Sequence, residues 1–600
     1  MKKFDLTEKI FAEHKERTVF FFILAVFFLL IIRLGYLQIF RSEYYYNLSE
    51  RNRIRVLPTP SARGRIFDRN NIVLVDNSPT YTISIMPFEF PADSELVDKL
   101  SALLDVPSDY IWEKYLKTKE IQYLPVKIKK RVGFSKIAEI EEKSNEYPGV
   151  IYQVEPVRSY PLGKIAPHIL GYVGEVSAAE LRERYREGIR AGDMVGKQGV
   201  ERYFDNILRG QDGATFLEVR ANGEVIGPVE EYKSIPPKNG ADIVLTIDMN
   251  LQKYLEFLCR WIPQGAIIAM NPNNGDIIAA VSVPDFDQTI FSQPITDTIW
   301  AKLNNPETHP MLCRWYQGTY PPASPMKIMS AAAAVDENIA SAYSHMEYPC
   351  LGAMQYGDRW FFCWLRSGHG YLDMLEAIAQ SCDIYFYQIG ARLGLDMWSE
   401  YAKKCFFGQQ TGIELPHEAK GLVPDRNYYN TRYGRRGWGA GVVLNLVIGQ
   451  GELLTTPLQV AQFFSAIANG GTVYKPRIVK EIRFPLRYPR VFSPIERGQL
   501  PFSKEAIKTA VDGMIRTCNE EWATGYGAYM EDIVVAGKTG TAQNPHGADH
   551  AWFVSFAPAE NPEIVLVILV EAGGSGGAWA WLARMFYDYY FHIWKYDHNL

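Results

Sequence analysis

The most constraining feature of the sequence is an apolar segment close to its N-terminus. Residues Thr18 to Phe40 read TVFFFILAVFFLLIIRLGYLQIF, and Arg33 is the only charged residue among them. A helix rises about 1.5 Å per residue, so this segment is long enough to cross the roughly 30 Å hydrocarbon layer of a bilayer. Arg33 lies near one end, where its side chain can reach the interface. The segment predicts one membrane-spanning helix at 18–40 after a short tail at 1–17.

A cleaved signal peptide and a buried helix are the alternative interpretations of this segment. The apolar run is long, and no small-x-small cleavage site follows it, so we expect an uncleaved anchor. Basic residues stand on both sides: Lys2, Lys3, Lys9, Lys15 and Arg17 before it, and Arg41, Arg51, Arg53, Arg55, Arg63 and Arg65 after it. The charge count therefore does not orient the helix. A large following domain can be translocated regardless of charge.

The composition favours a folded, multidomain protein and excludes nucleic-acid binding. The 600 residues include 63 Lys and Arg against 68 Asp and Glu, a formal net charge of −5, so the charge balance does not attract a polyanion. Hydrophobic residues make up 47%, which is typical of a chain that buries a core. Domains have about 100 to 200 residues each, so a single core is not expected. The seven cysteines are too few for a disulfide scaffold, and any cysteine role is local.

A change of character near residue 240 divides the chain beyond the anchor. From 41 to 240, short alternating runs interleave with charged helical stretches, which predicts an extended mixed α/β module. The Pro/Gly/Asn-rich segment Ser234–Asp242 marks its end. From 241 to 600, two strand-like runs joined by Asn273-Asn274-Gly275 open the region, helices follow, and three more strand-like runs close it. We expect one α+β domain whose five-stranded antiparallel sheet, flanked by helices, is built from both ends of this region.

The first candidate for chemistry is Ser324, three residues before Lys327 in YPPASPMKIMSAAAAV. The alanine-rich run predicts a helix with Ser324 as its N-cap and Pro325 in the first helical position. The i, i+3 spacing places the hydroxyl and the amine on one face. The positive helix end and partial burial disfavour a charged ammonium, so Lys327 can accept the serine proton. A capping serine beside a solvated lysine is the alternative, because S-x-x-K alone occurs about once by chance in such a length.

Two further motifs accompany this pair. Ser381-Cys382-Asp383 has the form S-x-[ND] at the C-terminal side of a helical stretch, and an ordinary loop serine is the alternative. Lys538-Thr539-Gly540-Thr541 stands at the head of a strand, where Gly540 lets a substrate backbone approach closely. A phosphate-binding loop is excluded for this segment, because no glycine stands five residues before Gly537 and the context is a strand.

Together and in this order, the three motifs resemble those of the penicillin-recognising acyl-serine transferases. The surrounding sequence is similar to class B penicillin-binding proteins, in particular those of cell-wall elongation, over nearly all 600 residues. The similar segments are Arg51–Asn70, Arg158–Val176, Gly196–Gly213, Leu245–Gln252, Gly265–Asp287, Thr411–Glu418 and Ile448–Ala461. The resemblance implies a dimerisation-type pedestal at 41–240 and a penicillin-binding transpeptidase domain at 241–600.

The function that the resemblance implies is peptidoglycan D,D-transpeptidation on the outer side of the cytoplasmic (inner) membrane, which would settle the orientation of the anchor. Ser324 would attack the penultimate D-Ala carbonyl of a donor stem peptide, Lys327 would act as base, and Ser381 would relay protons. An acceptor amine from a neighbouring stem would then resolve the acyl-enzyme. β-Lactams, which mimic D-Ala-D-Ala, would acylate the same serine. No cofactor is required for this acyl transfer.

The resemblance also implies the substrate contacts. Lys538, Thr539 and Thr541 would hold the terminal carboxylate, and the backbone N–H groups of Ser324 and Thr541 would form the oxyanion hole. One departure concerns Asp383, because the wider superfamily usually has Asn there. An acid at this position is expected to alter the contacts with the substrate amide.

A possible metal site lies beside the second motif. Cys350, Cys363, His369 and Cys382 form a Cys3His set, and thiolate and imidazole ligands favour tetrahedral zinc. The resemblance adds to this prediction, since some relatives look like zinc carriers at equivalent positions. A disulfide such as Cys350 with Cys363, or unrelated buried thiols, are the alternatives.

The partners expected from the resemblance are stem peptides, the lipid bilayer, a RodA-like glycan polymerase and an MreC-like scaffold, because no glycosyltransferase domain precedes the transpeptidase region. The sequence motifs also occur with two other functions. A carboxypeptidase or β-lactamase would use water instead of the acceptor amine, and the long region at 41–240 and the lack of an evident deacylating glutamate argue against it. A β-lactam sensor or scaffold would need a signalling domain, which does not fit into residues 1–17.

Overall fold

The structure, a computed structural model, describes residues 5–45, 54–91, 93–117, 125–219, 225–229, 232–292 and 295–597. Residues 1–4 of the predicted tail, and Arg51 and Arg53 of the flanking basic set, lie outside the described residues.

The N-terminal apolar segment is helical. An α-helix runs over Asp5–Gly35 and continues as a π-helical turn over Tyr36–Phe40. Within it, 18–40 is long and apolar enough to cross a membrane, and none of it is buried. Among the described residues it is the one helix with these properties. The alternative of a buried helix is therefore wrong.

The chain divides into two compact units that are not consecutive in sequence. One unit holds the chain up to Ser61 together with 79–155 and 211–238, and the other holds 62–78, 156–210 and 239–600. The domain boundary near 240 stays a prediction, because segments from both sides of it belong to the second unit.

The first unit contains small sheets and three amphipathic helices. Its strands are Ile54–Thr59, Gly213–Val219 and Val225–Pro228 in one antiparallel sheet, and Val126–Val132 beside the second half of Val73–Ile85 in another. Its helices are Ser94–Leu104, Ser108–Lys117 and Phe134–Glu142. Leucine, isoleucine and valine side chains from one face of each helix pack with the strands into a separate core.

The second unit is built on a five-stranded antiparallel sheet. The strands are β1 (Gly265–Met270), β2 (Ile277–Val283), β3 (Ala536–Ala542), β4 (His550–Ala557) and β5 (Ile564–Val570), in the order β2-β1-β5-β4-β3. The turn between β1 and β2 contains Gly275, which has a φ of +79°. The pairing of β1 with β5 confirms that both ends of the region build one sheet.

Both faces of this sheet are covered, which explains why β5 is apolar at every position. Ile268 and Val567 face a core shared with the helix Pro457–Ala468, whereas Ile267 and Ile568 face a core shared with Met249–Leu258 and Ala580–Asp588. Successive strand residues point to opposite faces, so a strand with two buried faces needs an uninterrupted apolar run.

The remaining helices of this unit lie mostly between β2 and β3 in sequence. They are Pro167–Leu170, Ala178–Glu183, Gly199–Tyr203, Asp205–Leu208, Asp297–Leu303, Met326–Asp336, Met374–Ala379, Asp383–Lys404, Arg426–Tyr433, Val442–Val447, Lys504–Asn519 and Lys595–Asp597. Small strands complete it: Ile66–Phe67, Val173–Glu175, Met194–Gly196, Asp242–Leu245, Ala353–Tyr356, Arg359–Phe362, Thr472–Tyr474, Val479–Arg483, Arg490–Val491 and Glu496–Gln499. The strand Val150–Ser159 is divided between the units: 150–155 belong to the first and 156–159 to the second.

A buried ionic cluster joins segments of the second unit that are far apart in sequence. Glu201, which is fully buried, accepts hydrogen bonds from the Nε atoms of Arg63 and Arg158, each at 2.6 Å. Asp205 pairs with Arg63 at 2.7 Å and with Arg184 at 2.6 Å. A buried charge is tolerated only when it is paired, so this cluster fixes how 62–78 joins 156–210.

Candidate active site

Ser324 stands at the entrance to the helix Met326–Asp336, called here the SxxK helix. The predicted capping role of Ser324 is wrong by one residue, because the N-cap is Pro325, which already has helical φ and ψ angles of −47° and −32°. The first turn is closed by i to i+3 bonds, and the Lys327 N–H donates to the Ser324 carbonyl at 3.0 Å. The Ser324 hydroxyl therefore caps no helical N–H, and the residue borders a cleft while remaining half-buried.

Lys327 is fully buried, and its ammonium makes three hydrogen bonds to the second motif. Its Nζ donates to the Ser381 carbonyl at 2.8 Å, to the Ser381 Oγ at 3.3 Å and to the Asp383 Oδ1 at 2.7 Å. The structure thus brings the SxxK lysine and the Ser381 hydroxyl together. The sequence analysis considered only the positive helix end and burial as influences on Lys327. The structure adds Asp383 as a charged partner of this lysine.

Asp383 connects Lys327 to the cysteine-bearing loop. Its second oxygen, Oδ2, accepts the backbone N–H of Trp364 at 2.9 Å. Trp364 directly follows Cys363 in sequence, and its indole Nε1 donates to the Gln380 carbonyl at 3.0 Å. The carboxylate therefore uses both oxygens, one for the amine and one for the loop, which a side-chain amide with a single acceptor oxygen cannot do.

Ser381 lies in the short connection between two helices. The helix Met374–Ala379 ends before it, and Asp383–Lys404, called here the SxD helix, begins two residues later. Ser381 has a φ of +54°, a left-handed conformation that is uncommon for a residue with a Cβ. The adjacent Cys382 is buried as the N-cap residue of the SxD helix. This connection directs the Ser381 side chain towards Lys327.

The third motif lies on the edge strand β3. The side chain of Lys538 is fully buried, and its Nζ donates to the Thr539 carbonyl at 3.1 Å. Burial, together with the positive charge of Lys327 nearby, lowers the pKa of Lys538 well below its ordinary value. The Thr539 hydroxyl donates to the Thr524 hydroxyl at 2.8 Å. A Cβ at Gly540 would lie 2.6 Å from Pro325 Cδ, so only glycine lets β3 approach the start of the SxxK helix this closely.

These residues meet at one large cleft of about 1250 Å³. Of the predicted residues, Ser324, Ser381, Asp383, Thr539, Gly540 and Thr541 line it. Lys327 and Lys538 are buried; Lys327 bonds to Ser381 and Asp383, and Lys538 bonds to Thr539. Three motifs that together span more than 200 residues of the sequence therefore converge on one place.

One further loop of the cleft was not singled out as functional from the sequence. Gly449 accepts the Ala323 N–H at 2.8 Å, and a Cβ on Gly449 would lie 2.0 Å from the Ala323 carbonyl oxygen. The Gln450 side chain donates to the Thr541 carbonyl at 2.9 Å. The loop from Gly449 to Glu452 thus bridges the Ser324 segment and β3. Its only sequence signal was membership of the resembling segment Ile448–Ala461.

The four predicted metal ligands form a cluster. The Sγ atoms of Cys350, Cys363 and Cys382 and a ring nitrogen of His369 all lie within 4.8 Å of one another. His369 Nδ1 is 3.5 Å from the Cys350 sulfur and 3.6 Å from the Cys363 sulfur. All three thiols are free, so the predicted alternatives of a Cys350–Cys363 disulfide and of unrelated thiols do not agree with the structure.

The geometry of this cluster fits a tetrahedral zinc ion. Nitrogen and sulfur ligands at zinc bond lengths and tetrahedral angles lie about 3.5 Å apart, which matches the two sulfur–nitrogen distances. The hydrogen bonds among the three thiols lower the pKa of Cys350 and raise that of Cys382, so one thiol of the cluster gives up its proton most readily. A thiolate is the form that binds a metal ion.

Comparison with known proteins agrees with this fold. Residues 265–587 match the family model of the penicillin binding protein transpeptidase domain, and residues 58–245 match that of the penicillin-binding protein dimerisation domain. The chain belongs to the penicillin-binding protein family with a transpeptidase domain.

Individual members of that family are also similar to this chain over most of its length. The chain is 32% identical to the peptidoglycan D,D-transpeptidase MrdA of Haemophilus influenzae, with 92% of this chain and 88% of the relative covered. Among solved structures it is similar to a complex between penicillin-binding protein PBP2 and MreC from Helicobacter pylori, at a TM-score of 0.77 and 26% identity over 90% of this chain and 100% of that one. It is also similar to a chain of a peptidoglycan synthase complex that coordinates polymerization and crosslinking, at a TM-score of 0.67 and 28% identity over 97% and 98% of the two chains. The predicted class and the predicted fold are confirmed.

Proposed function

We propose that this protein is a peptidoglycan D,D-transpeptidase that works through an acyl-serine intermediate. The observation that carries the proposal is the buried amine of Lys327, which is hydrogen bonded to Ser381 Oγ at 3.3 Å beside a cleft that Ser324 and Thr539 border. A serine, an amine and a second hydroxyl in one site are the parts that activate a nucleophile and return its proton. The family membership and the name of the Haemophilus influenzae relative support the same activity.

In the proposed first step, Ser324 Oγ attacks the penultimate D-Ala carbonyl of the donor peptide. The C–O bond forms, the peptide C–N bond breaks, and the terminal D-Ala leaves. Lys327, in its neutral amine form, takes the serine proton, and Ser381 relays it to the leaving nitrogen, which returns Lys327 to the neutral amine. The backbone N–H groups of Ser324 and Thr541 stabilise the oxyanion.

The terminal carboxylate of the donor would be held at β3. Thr539 and Thr541 offer hydroxyls, and Lys538 offers an amine whose ammonium form an incoming anion stabilises. Gly540 leaves room for the donor backbone. Asp383 would act on the donor through its ion pair with Lys327.

In the second step, an acceptor amine attacks the acyl carbon. The new C–N bond forms, the C–O bond to Ser324 breaks, and the amine proton returns to the serine oxygen through Lys327. The product is a cross-link between two stem peptides.

The proposed setting is the outer face of the cytoplasmic membrane. The exposed apolar helix at 18–40 supports a single-pass anchor, with residues 1–17 inside and the pedestal (41–240) and transpeptidase region (241–600) outside. The solved relative in complex with MreC supports an MreC-like scaffold as a partner. The relative in a complex that couples polymerization to crosslinking supports a RodA-like polymerase as another.

We also propose that Cys350, Cys363, His369 and Cys382 hold a structural zinc ion. A bound zinc ion would tie the loop that carries Trp364 to the connection that carries Ser381. The measurement is the zinc content of the purified full chain, compared with Cys350→Ser and with Cys405→Ser as the buried-cysteine control. One zinc per chain, lost only in Cys350→Ser, is expected. Much less than one zinc in a wild-type sample with intact thiols would contradict the proposal.

The test of the proposed activity is labelling of the full chain in detergent with a fluorescent penicillin. Wild type is compared with Ser324→Ala and with Ser575→Ala, which removes an exposed serine of the same cleft. An adduct that is lost only in Ser324→Ala is expected. Wild-type protein that is folded and forms no adduct, or an adduct that persists in Ser324→Ala, would contradict the proposal. Incubation with a D-Ala-D-Ala donor and an amine then distinguishes transfer from hydrolysis.

A further inference from the structure

The cleft beside Ser324 contains the carboxylate of Glu452, which has no role in the reaction steps proposed above. Glu452 lines the cleft, and both of its oxygens accept tyrosine hydroxyls: Oε2 from Tyr429 at 2.7 Å and Oε1 from Tyr433 at 2.9 Å. In the part of the chain that the structure describes, no Lys, Arg or His side chain forms an ion pair with it. Its negative charge is therefore held in place by neutral donors.

The other carboxylates that line the cleft differ from Glu452 in their hydrogen-bond partners or in their exposure. Asp383 is paired with Lys327, Asp549 accepts the backbone N–H of Asn544, and Asp358 lies in the exposed turn of the hairpin that ends at Phe362. Neutral side chains could satisfy two phenol hydroxyls as well as a carboxylate does. A charged group held by two hydroxyls and open to a cleft instead suits a cationic ligand.

The surroundings of Glu452 have the chemistry of an ammonium site. The rings of Tyr433 and Trp438 line the same cleft, and both lie against the buried Tyr429, with ring centroids 6.1 and 5.3 Å away. Aromatic faces beside a carboxylate attract ammonium groups through the ring quadrupole. Burial and the hydrogen bond to Glu452 raise the pKa of Tyr429, so its hydroxyl stays a donor. Three arginines lie near this wall: Arg432 over the Tyr433 ring at 5.7 Å, Arg426 over the Trp438 ring at 5.7 Å, and Arg436 in the lining of the cleft. Among the described residues none of them forms an ion pair with Glu452.

Glu452 is also placed close to the reacting serine by its own chain. Gly449 is hydrogen bonded to Ala323, the residue before Ser324, and Gln450 is hydrogen bonded to Thr541. Glu452 follows Gln450 by two residues, which is at most about 7 Å along the backbone. The carboxylate is thus tied, through a loop fixed at two points, to both sides of the site.

We propose that Glu452, with the hydroxyls of Tyr429 and Tyr433 and the ring of Trp438, is the subsite that binds the ammonium group of the acceptor. This inference rests on the proposed transpeptidase function, because only a transferase needs a second, amine-bearing substrate. The ligand class is a peptide or amino acid with a primary ammonium. The subsite binds the acceptor in its charged form and holds it beside the acyl-serine until the ammonium loses one proton to solvent and the free amine attacks the acyl carbon.

The experiment separates acyl transfer to an amine from acylation itself. The full chain in detergent is given a thioester analogue of an N-acyl-D-alanine as donor and D-methionine as acceptor, and the transfer and hydrolysis products are quantified over a range of D-methionine concentrations. The variants are Glu452→Gln, which removes the charge, and the control Asp358→Asn, which removes a charge elsewhere in the cleft. Fluorescent-penicillin labelling of each variant reports whether Ser324 is still competent.

Glu452→Gln is expected to raise the KM for D-methionine by about tenfold or more, the loss that follows from removing one charge-assisted hydrogen bond, and to shift the products towards hydrolysis. Asp358→Asn is expected to behave like wild type. A Glu452→Gln variant that still forms the penicillin adduct and keeps the wild-type KM for D-methionine would overturn the inference. Absence of a penicillin adduct in wild type would instead overturn the proposed function.

A second variant covers the case in which Glu452→Gln does not fold. Tyr433→Phe keeps the charge and removes one of the hydroxyls that hold it. It is expected to raise the KM for D-methionine by a smaller factor while the penicillin adduct is retained. An unchanged KM in a labelled Tyr433→Phe protein would overturn the role assigned to this tyrosine and, with it, the subsite.

Discussion

Removal of the Asp383 carboxylate should destabilise the protein more than the loss of any surface charge. The carboxylate accepts Lys327 Nζ at 2.7 Å and the Trp364 N–H at 2.9 Å. The Lys327 side chain is fully buried, and that of Asp383 is 12% exposed. Breaking a buried ion pair by removing one partner costs about 3–5 kcal/mol, because the other charge stays behind without compensation.

Asp383→Ala and Asp383→Asn should lower the free energy of unfolding by different amounts. Asp383→Ala removes both hydrogen bonds and leaves the Lys327 amine with only the Ser381 oxygens, so we expect a loss of about 3–5 kcal/mol in the free energy of unfolding. Asp383→Asn keeps one acceptor oxygen and turns an amide donor towards either Lys327 or the Trp364 N–H. One bond to a buried donor is then lost, which costs about 1.5–3 kcal/mol.

The assay is urea unfolding of the full chain in detergent, followed by tryptophan fluorescence. Asp396→Ala is the matched control, since Asp396 is also an ion-paired aspartate, beyond the break in the SxD helix at Gly394. It pairs with Arg426 at 2.5 Å, with about 60% of each side chain exposed. An exposed pair contributes about 0–1 kcal/mol. A double variant with Lys327→Met should be less destabilised than the sum of the single variants. The reasoning is refuted if Asp383→Ala costs no more than Asp396→Ala, or if the double variant is simply additive.

Three further predictions concern other parts of the second unit. His168 is buried and hydrogen bonded to the Pro310 carbonyl, and burial lowers its pKa from 6.5 to about 4. Its contribution to the free energy of unfolding is complete above pH 6.5 and is lost as the pH falls through 4. His168→Gln should therefore remove about 3 kcal/mol of the acid-induced loss of stability, measured as the pH dependence of urea unfolding relative to wild type. Gly540→Ala forces its Cβ to within 2.6 Å of Pro325 and should slow penicillin acylation by about 10- to 100-fold in stopped-time labelling, whereas a wild-type rate would contradict the close packing of β3. Glu201→Gln removes a charge that two arginines bind at 2.6 Å each and should lower the unfolding free energy by about 3–5 kcal/mol, and a change below 1 kcal/mol would show that the cluster does not hold 62–78 in place.

The parts of the fold that depend on local pattern could be predicted from the sequence. The apolar runs of β1, β2 and β5 and the glycine turn before β2 predicted the core of the sheet, and the motifs predicted the residues that meet at the cleft. These signals are strong because a strand buried on both faces needs an apolar side chain at every position.

The parts that depend on distant contacts could not be predicted. The ion pair of Lys327 joins residues 56 positions apart, and no local pattern indicates it. The segments 62–78 and 156–210 join the second unit through apolar core residues and through buried charges at Glu201 and Asp205. In the sequence, these two acidic residues look like surface residues. The position of Ser324 before the N-cap shows that a helix start can shift by one residue when i to i+3 bonds close its first turn.

The pairing of β1 with β5 sets the order in which this protein can be assembled. Gly265 lies opposite Val570, so about 300 residues separate two neighbouring strands at the centre of the sheet. Until β5 has been synthesised, β1 and β2 are a lone hairpin whose inner edge exposes unpaired backbone groups and apolar side chains. The catalytic fold therefore forms only after nearly the whole chain has left the ribosome. A chain that ends between residues 542 and 563 would keep all three motifs and still lack the strand that completes the central sheet.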